Sequence, residues 1–295
     1  MYVPPAMLPA MKRPSIAIVG AGRLGTALAK RLAEAGYSIP EVTVRGNPRS
    51  LSSSSARKLA TSVGARVATT RSARLAANVI WFCVPDAEVS QTAAGLANKN
   101  WRGKTTFHSS GVLTSDALRI LQEKGAKVAS VHPLMTFVRG AVPALRGVTF
   151  AVEGDPAAIR VAFKIVRDLG GEAMRLRKQN KGAYHAFATM ICPLLVSLLA
   201  SSEAVAPLAG LSNRQARRRM MPIIRQTLQN YLNLGPAGAF SGPVVRGDTE
   251  TVRLHLRSLA KTPSARDAYV ALARAALEYL PSRKKRELQK LLGAI

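Results

Sequence analysis

The sequence predicts an α/β protein in which a doubly wound parallel sheet is followed by an all-helical domain. In the first half, short apolar runs alternate with amphipathic stretches, which is the pattern of strand–helix–strand units. From Lys181 onward only helical periodicity remains. The 295 residues fit two domains by length, and 47% of them are hydrophobic, enough for two cores. We predict a loose tail over 1–13, a sheet domain over 14–177 and a helical domain over 178–295.

The first predicted strand ends in a glycine-rich turn. An apolar run, Ile16 to Val19, leads directly into Gly20-Ala-Gly22-Arg-Leu-Gly25 and a helix predicted from Arg23 to Gly36. The first glycine allows a tight turn, the second lets a pyrophosphate approach the backbone, and the third lets the helix pack close to the sheet. The helix N-terminus offers N–H groups and a positive dipole end to phosphates. We therefore predict a dinucleotide-binding Rossmann unit whose cofactor contacts include Gly20, Gly22, Arg23, Leu24 and Gly25.

The second strand, predicted from Glu41 to Arg45, indicates which dinucleotide is bound. Proteins that use NAD usually carry Asp or Glu at this strand end, for the ribose 2′-hydroxyl. This chain instead has Arg45, Asn47, Arg49 and Ser50 there. A guanidinium can pair with a 2′-phosphate through two hydrogen bonds, and amide or hydroxyl groups can add others. The pattern favours NADP(H) over NAD(H), the alternative being that Arg49 is only a surface charge.

The fourth strand, Val79 to Val84, is apolar on both faces, as the middle of a parallel sheet requires. We expect Val84, Pro85 and Asp86 at its end to lie beside the cofactor, because open α/β sheets bind ligands at the carboxyl ends of their strands. The other predicted strands are 66–68, 104–107, 127–131, 148–152 and 173–176. Helices are predicted at 87–96, 114–123 and 156–169, and one ending at residue 60 is expected to follow the serines at 52–55.

Two polar clusters follow the fifth and sixth strands. One contains His108, Ser109 and Ser110, and the other begins with His132. Both should open on the nicotinamide crevice, where a His can exchange a proton and a Ser can orient the substrate oxygen. The alternatives are a capping histidine and a His-Pro turn. We expect His132, more than His108, to take part in the chemistry. No Cys or carboxylate flanks either His, so no metal site is predicted.

The second half is predicted to form helices at 181–208, 212–234, 248–259, 263–280 and 282–292. Lys181 and His185 stand four residues apart at the entrance to the first of these and so share a face. A Lys there can hold an anionic group or polarise a carbonyl, and the His can carry a proton. Both residues could equally be solvated at a helix end. Asp248 is a natural N-cap, and Thr262 is predicted to cap the helix that begins at Pro263.

Charge and apolar patterning argue against a nucleic-acid-binding protein and against a membrane-spanning one. The net charge is +27, but the arginines are spread through every region and the dense clusters lie at helical spacing with few aromatic residues. Solvated helix faces are therefore preferred to a nucleic-acid site. The longest apolar segment, Ala186 to Ala200, is short for a membrane span and contains Pro193, so a buried helix is predicted. Cys83 and Cys192 lie in apolar runs and are expected as buried free thiols in the cytoplasm.

Seven motifs follow one another along the chain: Gly20-A-Gly22-R-L-Gly25, Val84-Pro85-Asp86, His108-S-S-Gly111, His132-P-L-M-T-Phe137, Lys181-x-x-Tyr184-His185, Gly242-P-V-V-Arg246-Gly247-Asp248 and His255-Leu256. In this order they resemble a two-domain family, the Rossmann-like proteins that carry DUF2520, a domain of unknown function. The resemblance implies a helical half like that of 6-phosphogluconate and β-hydroxyacid dehydrogenases, and a homodimer formed through these helices.

Two related families add detail to the resemblance. β-Hydroxyacid dehydrogenases place a catalytic Lys and an Asn four residues apart at the start of this helix; Lys181 is similar to the first, and His185 takes the place of the second. Prephenate and arogenate dehydrogenases place a Ser after the fifth strand and a catalytic His in a His-Pro-Met segment. Ser110 and His132 look similar, with Gly111 where those enzymes have Lys.

The function expected from the sequence is NADP(H)-dependent hydride transfer to or from a small, anionic hydroxy, keto or imine substrate. His132 or the Lys181/His185 pair would handle the proton, and Ser109 or Ser110 would position the substrate oxygen. The alternative is a protein that binds NADP(H) without turnover and engages a partner through its helical domain.

Overall fold

The computed structural model describes residues 13–44 and 51–293, and for residues 51–53 the helical backbone only. The chain divides into two compact units, Met1–Ala188 and Thr189–Ile295. The predicted boundary at 177–178 lies before this division. The predicted tail, except for Arg13, lies outside the described residues.

The first unit is built on an eight-stranded sheet with the order β3-β2-β1-β4-β5-β6-β7-β8. The strands are β1 (Ile16–Val19), β2 (Glu41–Val44), β3 (Arg66–Thr69), β4 (Val79–Phe82), β5 (Thr105–His108), β6 (Lys127–Pro133), β7 (Thr149–Gly154) and β8 (Glu172–Arg175). Strands β1 to β6 are mutually parallel, and β8 is parallel to β7. The doubly wound fold predicted from the sequence is confirmed.

The sheet differs from the prediction in one respect, because β7 runs antiparallel to β6. A parallel neighbour needs a crossover, usually a helix, to carry the chain back to the other end of the sheet. The connection over residues 134–148 contains no helix. The chain therefore returns alongside β6 in the opposite direction, and the sheet is mixed.

Helices cover both faces of the sheet in the first unit. They are α1 (Arg23–Glu34), α2 (Leu51–Val63), α3 (Val89–Leu96), α4 (Arg119–Gln122) and α5 (Pro156–Asp168). Ile16 and Ile18 of β1 point into one apolar cluster, whereas Ala17 and Val19 point into the other, as the two-residue period of a strand requires. The serines at 52–55 lie inside α2 rather than before it. Ser is only mildly unfavourable in a helix, and the buried Ala56 and Leu59 fix this segment on the sheet.

The helices that follow are α6 (Lys181–Ile191), α7 (Pro193–Val205), α8 (Asn213–Ala239), α9 (Pro243–Arg246), α10 (Thr249–Ser258), α11 (Pro263–Tyr279) and α12 (Lys285–Gly293). The single helix predicted over 181–208 is broken at Cys192, because Pro193 lacks an N–H and starts a new helix. Asp248 caps α10 as predicted, accepting from the Thr251 N–H at 3.0 Å. Thr262 does not cap α11, since its hydroxyl donates to the Leu259 carbonyl at 3.2 Å.

The apolar side chains of α7 are exposed, so the predicted burial of this helix is wrong within one chain. No residue of α7 is buried, and Val196 is 62% exposed. The stretch Lys178–Ala209 meets the length and composition of a membrane span, with mean hydropathy 1.7 and 6% of the window buried. Exposed apolar surface of this size marks contact with another protein or with a membrane. Of the two free thiols, Cys83 is buried, but Cys192 is only half-buried, because the break that holds it lies in this exposed stretch.

Candidate functional site

The three glycines after β1 have different steric surroundings. Gly20 has φ +107°, and a Cβ there would lie 2.6 Å from the Cys83 carbonyl oxygen. A Cβ on Gly25 would lie 1.9 Å from the Gly20 carbonyl oxygen, whereas one on Gly22 would meet no atom within 4 Å. The fold itself therefore requires glycine at the first and third positions. At Gly22 no protein atom would clash with a side chain. Glycine there leaves room for a ligand to approach the backbone.

The N-terminus of α1 lies at this turn. Gly22 is its N-cap residue, no side chain caps the helix, and its first turn holds no acidic residue. The first helical hydrogen bond runs from the Thr26 N–H to the Gly22 carbonyl at 2.9 Å. Arg23, the first residue of α1, is exposed. This end of the helix presents backbone donors and a positive dipole, which suit a phosphate.

The other residues predicted to bind the cofactor are partly described. Those expected at the 2′-phosphate lie outside the described residues: Arg45, Asn47 and Arg49. Val84 is half-buried after β4, and Pro85 and Asp86 beside it are exposed. Because β1 and β4 are parallel neighbours, their carboxyl ends lie side by side. A Cβ on Gly20 would lie 3.0 Å from a Val84 methyl, so the two loops lie against each other.

β6 carries His132, which is hydrogen-bonded to Tyr184 of α6. The His132 Nδ1 lies 2.9 Å from the Tyr184 hydroxyl oxygen, and the rings meet edge to face with centroids 5.5 Å apart. Burial, helped by the charge of Lys181, lowers the pKa of His132 to about 4. Burial also raises the pKa of Tyr184 to about 12. Around neutral pH both groups are uncharged, and the tautomer decides which of them donates.

Lys181 begins α6, three residues before Tyr184, and is 1% exposed. Its Nζ donates to the Ser110 carbonyl at 2.9 Å and to the Ser130 hydroxyl, which itself donates to the same carbonyl at 3.2 Å. Burial lowers the pKa of Lys181 to about 8, against the opposing effect of the carboxylates of Glu153 and Asp86. Lys181 thus ties the start of α6 to the ends of β5 and β6.

Sequence reasoning missed two buried polar residues near Lys181. Ser130 is wholly buried in β6, and Glu153 lies opposite it in β7. The Glu153 carboxylate accepts hydrogen bonds from the Ser115 N–H and, at 3.0 Å, from the Ser115 hydroxyl. Each is a polar residue that directly follows buried apolar residues of its strand, a signal that can be read from sequence. A buried polar group in such a strand needs a partner, and here the partners come from distant segments.

The imidazole of His108 forms hydrogen bonds within its own loop. It is fully buried, with Nε2 3.0 Å from the Thr114 carbonyl, and its Nδ1 accepts from the Ser110 N–H at 3.2 Å. These bonds place the imidazole hydrogen on Nε2. Burial lowers the pKa of His108 to about 4, and the charge of Lys181 adds to the effect. The imidazole is therefore a neutral brace across the loop, which matches the structural alternative considered for it.

The serines beside His108 also make local contacts. Ser109 Oγ accepts from the indole N–H of Trp81 at 2.8 Å. Ser110 Oγ accepts from the Leu113 N–H at 2.9 Å and the Val112 N–H at 3.3 Å. Both hydroxyl oxygens thus hold the loop in shape. The predicted role of either serine in positioning a substrate oxygen stays a prediction.

Gly111 faces the imidazoles of His132 and His185. A Cβ on Gly111 would lie 2.4 Å from Cδ2 of His185 and 3.0 Å from Nε2 of His132. The two imidazole centroids are 6.2 Å apart. A side chain at 111 would overlap these rings, which accounts for the glycine at this position. The four predicted catalytic residues form one cluster: Ser110, His132, Lys181 and His185. Their roles stay predictions.

The cluster joins an uncharged imidazole–phenol pair to a buried ammonium group. The pair can exchange a proton with a substrate oxygen or nitrogen, and the ammonium provides positive potential. Within residues 13–44 and 51–293, no group of three His, Cys, Asp or Glu is placed to hold a metal ion.

Two family models match the chain, one in each half. A Rossmann-like domain matches residues 6–133, and DUF2520, a domain of unknown function, matches residues 148–276. The chain carries both domains, as the motifs predicted. No curated protein sequence matches it.

Several solved structures share the fold. A protein from Bacteroides fragilis, named as a candidate NADP oxidoreductase, is 22% identical with TM-score 0.75, over 89% of this chain and 97% of that one. An imine reductase from a Pseudomonas species is 21% identical with TM-score 0.63, over 90% and 94%. A reductive aminase from Aspergillus terreus, in complex with NADPH and ethyl-5-oxohexanoate, is 19% identical with TM-score 0.63, over 90% and 94%. At these identities the likeness establishes the fold alone.

Proposed function

From this chain's membership of the Rossmann-like proteins with a DUF2520 domain, we propose that it is an NADP(H)-dependent oxidoreductase. It transfers a hydride between the nicotinamide and a small, anionic hydroxy, keto or imine substrate. The observation that carries this proposal is the His132–Tyr184 hydrogen bond, 2.9 Å long, at the edge of the sheet where the turn after β1 lies. The two free thiols fit a cytoplasmic location.

The turn after β1 supports the cofactor assignment. Gly22 leaves room for a pyrophosphate, and the uncapped start of α1 provides donors for it. The preference for NADP(H) rests on Arg45, Asn47 and Arg49 in the sequence, because their side chains suit a 2′-phosphate. The relatives named for NADP or bound to NADPH add support from the same fold.

The proton is handled by His132 and Tyr184. Bound NADPH supplies the hydride. In this proposal the donor is the Tyr184 phenol, so His132 Nδ1 accepts and the hydrogen of the neutral imidazole lies on Nε2, facing Gly111 and His185. From there it can be donated to the substrate oxygen or nitrogen while the phenol proton passes to Nδ1. One proton taken up from water then restores the phenol and the starting tautomer before the next turnover. His185 lies beside the same glycine, with its imidazole centroid 6.2 Å from that of His132, and can orient the substrate.

Lys181 serves this chemistry as a positioning residue. Its ammonium is buried and donates to the Ser110 carbonyl and to the Ser130 hydroxyl, so it fixes the loop that contains Gly111. The positive charge still attracts an anionic substrate, because the buried surroundings screen it weakly.

Activity is expected to fall as the pH rises through about 8, where Lys181 loses its proton. The pKa values of about 4 for His132 and about 12 for Tyr184 lie outside this window. The free energy of unfolding should instead increase with pH. The pKa of Lys181 is lowered from 10.5, so the unfolded chain binds more protons between these values and stability rises with pH there. The measurement is kcat/KM for an anionic substrate from pH 6 to 10, beside urea unfolding.

Lys181→Met should remove that inflection and lower kcat/KM at pH 7. The matched control is Lys178→Met, which removes an exposed ammonium paired with Asp116 at 2.7 Å. The Lys178 variant should keep the wild-type pH profile. An unchanged inflection in Lys181→Met would assign the titration to another group and contradict the role given to Lys181.

We also propose that a second copy of the chain covers the exposed apolar side chains of α7 and α8. Leu194 and Val196 on α7 are 51% and 62% exposed, and Ile223 and Leu232 on α8 are 69% and 77% exposed. Association would bury this apolar surface, which contributes about 25 cal/mol of free energy per Å².

Light scattering should give twice the chain mass of 31.5 kDa. Val196→Glu should shift the mass toward the monomer, whereas Val138→Glu, at an exposed site of the first unit, should not. A monomeric wild-type protein would contradict this.

The catalytic proposal is tested by mixing the NADPH complex with small keto acids and imines and following the reduced-nicotinamide absorbance. Oxidation of NADPH by one class of substrate supports the enzyme and identifies that class. A neutral substrate reduced faster than every anionic one would contradict the anionic preference. NADPH binding without oxidation by any substrate would favour the alternative, a non-catalytic NADP(H)-binding sensor or partner-binding protein.

A further inference from the structure

A cavity of about 540 Å³ lies wholly within the helical unit, between α10, α11 and α12. Its volume falls in the range of roughly 300 to 1,000 Å³ that is usual for small-molecule sites. Leu256 and Leu291 form apolar parts of its wall, and three arginines surround them: Arg253, Arg257 and Arg266. This cavity is separate in sequence from every residue of the oxidoreductase site proposed above.

The three guanidinium groups outnumber the carboxylates that neutralise them. Arg253 forms an ion pair of 3.6 Å with Glu250. In the part of the chain that the structure describes, neither Arg257 nor Arg266 has an ion pair or a side-chain hydrogen bond. Among the described residues of the wall, Asp267 is the single carboxylate. Like charges that converge on a concave surface repel each other and attract an anion, unlike charges spread over a convex helix face.

The N-terminus of α11 adds to this positive potential. Pro263, the first residue of this 17-residue helix, lies in the wall of the cavity. The Thr262 hydroxyl donates to the Leu259 carbonyl and therefore does not cap the helix, and no acidic residue lies in the first turn. The backbone donors and positive dipole end of α11 thus meet the arginines at one place.

We propose that this cavity binds a small phosphorylated molecule. The guanidinium groups of Arg257 and Arg266 match phosphate oxygens through paired hydrogen bonds, and α11 supplies further donors. Leu256 and Leu291 pack against the organic part of the ligand. No aromatic side chain lines the wall in the part of the chain that the structure describes. Single-stranded nucleic acids bind by stacking on aromatic rings, so the cavity suits a compact anion better than a strand.

The test is calorimetric titration of the full chain with inorganic pyrophosphate at low salt. Wild-type protein should bind it. Arg257→Gln/Arg266→Gln should weaken binding about 100-fold, because each charge-assisted contact contributes about 1.4 kcal/mol, a factor of about ten. The matched control is Arg218→Gln/Arg219→Gln, which removes the same charge from an exposed face of α8. The control should bind like wild type within about twofold, given that its charges lie outside the cavity.

Three results would overturn the proposal. One is an equal loss of affinity in the two double variants, which would show only a general effect of charge. Another is unchanged binding in the Arg257/Arg266 variant together with loss in Gly22→Ala, which would place pyrophosphate at the turn after β1. The third is a single-stranded oligonucleotide that binds more tightly than pyrophosphate and is lost equally in both double variants. Circular dichroism checks folding, and the single variant Arg257→Gln, with an expected loss of about tenfold, replaces a double variant that fails to fold.

Discussion

Gly22→Ala is expected to abolish NADPH binding while the protein stays folded. A Cβ at Gly22 meets no protein atom within 4 Å, so the methyl group costs the fold little. It would occupy the space through which the pyrophosphate approaches the backbone at the start of α1. We expect affinity to fall at least about 100-fold, since the phosphate would lose several charge-assisted hydrogen bonds. NADPH fluorescence titration and urea unfolding measure the two effects separately.

Gly25→Ala provides the contrast, because here the fold itself forbids a side chain. The new Cβ would lie 1.9 Å from the Gly20 carbonyl oxygen, and α1 would have to move away from the sheet. Overpacking of this kind costs about 3 kcal/mol of unfolding free energy. Gly25→Ala should therefore unfold at a clearly lower urea concentration than Gly22→Ala. If Gly22→Ala binds NADPH like wild type, the turn does not hold the pyrophosphate.

Tyr184→Phe is expected to lower kcat about 100-fold or more, in the range of general acid–base effects. The variant keeps the ring that packs edge to face with His132 and removes only the hydroxyl that bonds to Nδ1. His132→Ala should lower kcat at least as much. NADPH affinity should stay within about twofold of wild type in both, because the pair acts on the substrate proton.

The helical unit offers a matched control for this change. His255 Nδ1 lies 3.1 Å from the Tyr269 hydroxyl, and the two rings meet edge to face at 5.8 Å. Tyr269→Phe thus breaks the same type of bond at a position outside the proposed site, and kcat should not change. Equal loss of kcat in Tyr184→Phe and Tyr269→Phe would point to a general structural effect and remove the catalytic role of the His132–Tyr184 pair.

The sequence predicted the sheet well because strand formation depends on local patterns. The apolar runs at Ile16 to Val19 and Val79 to Val84 gave central strands that are fully buried over 16–19 and 79–82. The direction of β7 was missed, although the absence of a helix over 134–148 in the sequence pattern indicates it. The exposure of α7 was also missed. Its apolar composition indicates burial, but no other segment among residues 13–44 and 51–293 buries it.

The sequence predicts which strand ends carry the candidate residues, but not how their side chains pair. Parallel strands bring their carboxyl ends to one edge, so His132 was expected there with the loop after β5. The partners of each side chain depend on how α6 packs on that edge, which no local pattern encodes. The hydrogen bond from Lys181 to the Ser110 carbonyl, and the fit of Gly111 against His185, follow from that packing. Lys181 was therefore expected at the substrate, whereas the structure buries it.

The most direct test of the proposed function is a titration of the purified full chain with NADPH and, separately, with NADH, followed by nicotinamide fluorescence. We expect saturable NADPH binding at one site per chain, at least about tenfold tighter than NADH, because a 2′-phosphate adds charge-assisted bonds worth 1.4 kcal/mol or more. Tighter binding of NADH would contradict the role given to Arg45 and Arg49. No saturable binding of either nucleotide would contradict the assignment of Gly20 to Gly25 as a cofactor site.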